Sequence, residues 1–207
     1  MPHSFTDLAG NVSAKWQASL MDQSCVEATN LDLDVQLHRD YDDFSGMLRQ
    51  FLATIRLVDP DMSERTTIGS LRGWIVWDPY AGNLAETGDA ASVDATNLGR
   101  AAWEVLDESD NVFEAAILLD RARLLPEWRG QKLLGSILDE LLDLLHFSPD
   151  HTIVVTQPEP QKPEGGPYEH GPVRDAAMAR LCAANRVAGF HPWKQGPVWW
   201  RPVEEML

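Results

Sequence analysis

The stretch of residues 112–156 leaves few folds open to this chain. It begins with an apolar run at 112–119 that reads as a strand. It continues into the strongest helical pattern in the sequence, residues 131–145. There Leu133, Leu134, Ile137, Leu138, Leu141, Leu142 and Leu145 recur at spacings of three and four and make a wide apolar stripe. It closes with Thr152, Ile153, Val154, Val155 and Thr156, a short run suited to a buried, central strand. A second helix is predicted over 173–187, with Ala177, Met178, Leu181 and Cys182 inward and Gly189 as its stop. Val198, Trp199 and Trp200 supply a last strand. Strand–helix–strand–helix–strand order argues for an α/β sandwich.

The N-terminal half is patterned less clearly. The first thirty residues have weak periodicity, and Trp16, Leu20 and Val26 suggest a helix or an irregular arm. Leu31, Leu33, Val35 and Leu37 then alternate with polar residues, the mark of a half-buried strand. From Phe44 onward, Met47, Leu48, Phe51, Leu52 and Ile55 favour a helix, although 51–58 is also compatible with a strand. Residues 68–77 form a second strand region, with Gly69 and Gly73 allowing a bulge or bend. A turn at 78–83 and a polar stretch at 86–94 lead to a short helix carrying Leu98, Ala101, Ala102, Val105 and Leu106. Trp74, Trp77 and Trp103 are expected in the core, and 157–172, rich in Pro and Gly, as a loop.

Length and composition fit one domain over residues 1–207. Acidic residues outnumber basic ones 32 to 17, a formal charge of −15. That balance argues against nucleic acid and anionic membranes as partners and favours a cationic one. No apolar run approaches the roughly 20 residues of a membrane span, and the N-terminus lacks signal-peptide character, so a cytoplasmic location is expected. Cys25 and Cys182 make no disulfide framework, and His146 and His151 have no partner cysteine, so no metal site is predicted.

The chemistry-bearing segment runs from Leu124 through Pro126, Trp128, Arg129, Gly130, Gln131 and Lys132 to Leu134. It lies between a strand and the N-terminus of the leucine-rich helix. The first amides of a helix lack internal partners and their dipoles point outward, so backbone alone can hold a pyrophosphate there. Arg129 and Lys132 add positive charge at the same place.

The order strand, Leu-x-Pro-x-Trp-Arg-Gly, helix, strand, long loop, helix, then Gly189, Phe190, His191 and Pro192, resembles the GNAT acyltransferase superfamily over about 112–200. Weaker similarity at 68–77 extends it upstream, while 1–60 diverge, and the flanking layout looks like a poorly characterised bacterial branch. The resemblance implies a three-layer α/β sandwich with a mixed, mostly antiparallel sheet and splayed central strands. It implies acetyl-CoA as cosubstrate and an amine-bearing acceptor, either a small molecule or a protein. Leu124 would meet the pantetheine arm, and Arg129, Gly130, Gln131, Lys132, Leu133 and Leu134 would cradle the pyrophosphate. Thr156 and Gln157 would border the splay. Asp120 is the first choice for base or amine-binding carboxylate, and Glu114, of the same strand parity, is the second. Two departures stand out: Lys132 and Leu134 occupy the family's small-residue positions, and Asn185 stands where a general-acid tyrosine is usual. These departures also suit a catalytically silent module that binds acyl-CoA or a protein partner. Trp193, Trp199 and Trp200 are equally compatible with an acceptor pocket, a homodimer seam or simple packing.

Overall fold

The computed structural model describes residues 30–38, 48–58, 64–162 and 165–201; the arm expected within the first thirty residues lies outside this set. Seven strands form one sheet in the order β1-β2-β3-β4-β5-β7-β6. They are β1 (Leu31–His38), β2 (Leu48–Val58), β3 (Arg65–Val76), β4 (Ala115–Leu124), β5 (Thr152–Thr156), β6 (His191–Pro192) and β7 (Trp199–Arg201). The β4–β5 pair is parallel and every other pairing is antiparallel. Among the described residues, four α-helices flank the sheet: α1 (Leu84–Ala91), α2 (Val93–Glu108), α3 (Leu133–Leu144) and α4 (Pro172–Val187). The chain is thus an α/β protein with a mostly antiparallel open sheet. Among the described residues, no helix is long and apolar enough to cross a membrane.

The centre of the sheet is buried on both faces, which is why Ala115 to Leu119 of β4 and all of β5 read as continuous apolar runs rather than alternating ones. On one face, Ile117, Leu119 and Val154 pack with Phe51, Leu71 and Ile75 beneath the α3 stripe of Leu133, Ile137, Leu138, Leu141 and Leu142. On the other, Ala116, Leu118, Ile153 and Val155 meet Leu84 of α1 and Ala95, Leu98, Ala102 and Val105 of α2.

Several sequence expectations change here. The favoured helix from Phe44 is instead, over the described residues, the strand β2. Its apolar residues satisfy both periods, and pairing with β1 and β3 on both edges decides for the strand. The polar stretch before α2 contains α1, opened by Asn83, whose Oδ1 accepts from the amides of Ala85 (3.0 Å) and Glu86 (3.4 Å). Ser92 closes α1 through its amide to the Gly88 carbonyl (2.9 Å) and caps α2 by accepting the Ala95 amide (3.0 Å). Trp74 is buried as expected, but Trp77 and Trp103 are 43% and 37% exposed. Trp77 lies one residue past β3, edge-on to Phe147 at 6.2 Å, and the buried stripe of α2 leaves Trp103 outside.

Gly69 and Gly73 do mark irregularities. The register between β2 and β3 slips at Ile55/Arg56, beside Gly69, and that between β3 and β4 slips at Arg72/Gly73. A Cβ on Gly73 would lie 2.2 Å from the Leu118 carbonyl oxygen and 2.9 Å from the Phe51 ring. No neighbouring side chain can yield that space, because the nearest atom is backbone. Gly73→Ala is therefore expected to destabilise the fold by about 1–3 kcal/mol, read from the midpoint of urea unfolding.

The C-terminal hairpin is tied to α2 by charge. Glu104 accepts from Trp193 Nε1 and Lys194 Nζ, both at 3.1 Å, and Lys194 also donates to Glu108 at 2.7 Å. The bonds from Trp193 and then Lys194 hold the Glu104 carboxyl below its ordinary 4.5, while Glu108 and Glu104 raise Lys194. A carboxyl lowered by folding stabilises the native state above its unfolded value, and that contribution is lost as pH falls through the folded one. The Tm should therefore fall on acidification below about pH 4.5, and Glu104→Gln should make that fall shallower. Lys194 works in the opposite sense: its contribution is present below 10.5 and is lost as the pH rises past its raised folded value.

Candidate functional site

The site begins where two strands part. β4 and β5 pair from Ala115↔Thr152 to Leu119↔Thr156 and no further. β4 runs on to Leu124 against β3, but β5 stops at Thr156. The next residues, Gln157, Pro158, Glu159 and Pro160, include two prolines that carry no N–H for a ladder, so β5 cannot extend. Among the described residues, β4 therefore has one edge unpaired by strand from Asp120 onward, in the middle of a sheet.

The parting coincides with a bulge. Leu119 opposes Gly73 and Arg121 opposes Arg72, which leaves Asp120 as the extra residue on β4. The insertion reverses the facing of the residues after it. Leu119 packs on the α3 face, and so does Leu124, although a regular strand would send positions five apart to opposite faces. The Asp120 side chain turns toward α2 and lines a small depression with Asp94 and Leu98 of that helix, and with Arg121, Gln157 and Glu159. It is only 6% exposed. Arg72 Nε donates to its Oδ2 at 2.7 Å, and Arg72 Nη2 reaches the same oxygen. Oδ1 has Arg121 Nε at 3.7 Å, an ion pair too long for a hydrogen bond.

Past β4 the chain makes a single 3₁₀ turn, Pro126–Trp128, and Trp128 buries its ring against the leucine core. The loop is braced by its own side chains: Arg129 Nε donates to the Leu124 carbonyl (2.9 Å), and Gln131 Nε2 to that of Glu127 (3.1 Å). Gly130 and Lys132 take left-handed backbone, with φ of 78° and 60°. Lys132 is the N-cap of α3, and its side chain accepts nothing from the helix. A lysine has no acceptor to offer, and the first turn holds no acidic residue, so the leading amides of α3 face outward without a side-chain cap. Leu133 is buried and Leu134 packs against the same core, so both side chains turn away from the loop mouth.

Four of the seventeen basic residues, Arg121, Arg123, Arg129 and Lys132, lie within positions 121–132, where Glu127 is the one acid. This is a basic strip on a protein of charge −15.

Most of the sequence-predicted residues come together. Asp120, Leu124 and the segment from Arg129 to Leu134 gather along the open edge of β4 and the start of α3. Thr156 ends β5 beside them. Glu114 does not join Asp120: it lies one residue before β4, exposed, with its amide bonded to the His151 carbonyl at 2.8 Å. Asn185 is on the inner side of α4, 3% exposed, and its carbonyl accepts the Phe190 amide at 3.0 Å. Sequence reasoning missed Arg72, Asp94 and Glu159. Arg72 and Asp120 are 48 positions apart and meet only through strand register, for which the sole local hint was Gly73.

No family model matches the chain, and comparison with curated proteins and with solved structures yields no match either.

Proposed function

We propose that this chain is a GNAT-type N-acetyltransferase that moves the acetyl group of acetyl-CoA to a primary amine on a small molecule or a protein. The observation that carries this reading is the open edge of β4 leading directly into an uncapped, basic helix N-terminus. An extended amide-bearing arm can pair with the unpaired strand edge, and a pyrophosphate can sit on the α3 amides at its end. Two departures from the family pattern are accommodated locally. Lys132 holds a left-handed conformation at the position where glycine is usual, which is the backbone demand that glycine ordinarily meets. Leu134 turns its side chain into the core, away from where phosphates would lie.

In this reading the neutral amine attacks the thioester carbonyl carbon inside a ternary complex. The C–S bond breaks, the amide forms, and the departing sulfur takes a proton to become the thiol. Asp120 offers Oδ1 to the incoming ammonium and draws off or positions its proton, while backbone amides near Leu124 polarise the carbonyl. Asp94 and Glu159, at the same depression, favour a cationic acceptor. The burial of Asn185, which has no acidic proton, favours a second reading in which the domain binds acyl-CoA without turning it over.

Calorimetric titration with acetyl-CoA and with free CoA tests the binding step. Stoichiometric binding is expected, weakened about tenfold (about 1.4 kcal/mol) by Arg129→Glu and similarly by Lys132→Glu. Absence of binding to both ligands would end the acyltransferase reading. Binding without acetyl transfer to any of a panel of primary amines would leave the silent module.

A further inference from the structure

We infer that Arg72 is a positioning residue whose ion pair with Asp120 latches the β4 bulge and so keeps the strand gap open. A carboxylate as buried as that of Asp120, set beside Leu98, is costly unless its charge is matched. Arg72 matches it from the adjacent strand, with Nε and Nη2 converging on Oδ2. The pair lies at the register shift itself. Arg72 is the last residue of β3 still in the distal register with β4, opposite Arg121, and the next residue, Gly73, already opposes Leu119. The latch thus joins one side of the slip to the residue that the slip leaves over.

Without the guanidinium, Asp120 would be a buried charge with no hydrogen-bonded cation and only the longer ion pair from Arg121, and its release is to turn outward toward water. That turn removes the reason for the extra residue to stay where it is, and β4 can shift its register against β3. Residues 120–124 would then no longer present a fixed edge beside the end of β5. Arg72 is 45% exposed, so its own hydration does not hold it on Asp120; the bonds to Oδ2 do. One carboxylate serves two partners in this arrangement: Oδ2 is committed to the latch, and Oδ1 keeps the longer ion pair with Arg121, which lines the same depression.

The effect on ligand rests on the acyl-CoA reading above, whereas the effect on the strand does not, and the experiment separates them. Arg72→Gln, Arg72→Lys, Asp120→Asn and the double variant Arg72→Gln/Asp120→Asn are compared with the unmodified protein by hydrogen exchange and by titration with acetyl-CoA. Exchange of the amides at 120–124 should quicken in Arg72→Gln and Asp120→Asn while the α3 core stays protected, with Arg72→Lys closer to the unmodified protein. Both single variants should weaken acetyl-CoA about tenfold, and the double variant should be no worse than either.

The two substitutions change net charge in opposite directions, which makes the sign decisive. If the residues act only through their field on an anionic ligand, Asp120→Asn tightens binding and Arg72→Gln weakens it, and the latch is overturned. Unchanged exchange at 120–124 in both single variants also overturns it. If the unmodified protein fails to bind acetyl-CoA, the acyltransferase reading falls, and the exchange data alone decide the latch.

Discussion

The parallel pairing of β4 and β5 lasts five residues, and its ending is the constraint on which the rest of this fold depends. Strands side by side normally continue until one of them runs out of donors or turns away. Here both happen at the same level. Pro158 and Pro160 remove N–H groups from the chain after β5, and the bulge at Asp120 changes the twist of β4. Backbone groups in a protein are obligatory hydrogen-bonding groups, so a strand edge opened in the middle of a sheet must find water, a loop or a ligand. The bend also decides where the chain goes next: β4 delivers its last residue, Leu124, to the 3₁₀ turn, and the turn places the first residue of α3 beside the gap.

The two cores keep that arrangement rigid. Five buried residues of α3 fix its rotation about its own axis, at about 2 kcal/mol for each large side chain removed from water. Once the stripe is set, Leu133 and Leu134 have no freedom to swing outward, and what the loop mouth sees is backbone. On the opposite face, α1 and α2 approach closely enough that a Cβ on Gly99 would lie 2.4 Å from the Leu84 carbonyl oxygen. That packing presents Asp94 and Leu98 to the Asp120 carboxylate. The site is therefore assembled from both faces of the sheet, with the bulge as the point where side chains of one face and backbone of the edge become neighbours.

How much of this was legible in the sequence depends on the range of the interactions involved. The strand β1, the leucine helix, the short β5 and the Gly189 stop were legible because each is written in a local period or a single terminator. The segment from Leu124 to Leu134 was legible as a strand-to-helix turn for the same reason. β2 was ambiguous because a short apolar run carries both periods, and only its two neighbours resolve it. α1 was hidden by polar composition; its evidence is the capping pattern of Asn83 and Ser92, which the surrounding acids obscure. Asp120 could be placed on the right strand, yet its partner could not be found. A bulge shifts all later pairings by one residue, and nothing within β4 announces which residue is extra. Glu114 was paired with Asp120 by parity alone, an argument that holds only inside a strand, and β4 begins one residue later.

Charge gives the arrangement its direction. The protein as a whole repels anions, and a mobile anion feels that field over about a Debye length of 8–10 Å. The basic residues at 121–132 form a short strip along the open edge, ending at helix amides that need no counter-charge of their own. The carboxylates of Asp94, Asp120 and Glu159 line the depression where that strip begins, with Arg121 among them, while Lys132 stands at the start of α3. A ligand carrying negative charge is thus favoured at the α3 end and disfavoured toward α2, while a cation has the reverse preference. Two reactants of opposite charge entering one gap would be oriented toward each other before any specific contact formed. Arg72 is what keeps this polarity from collapsing: it neutralises the most buried of the three carboxylates, so the acidic end can be desolvated without driving the strand apart.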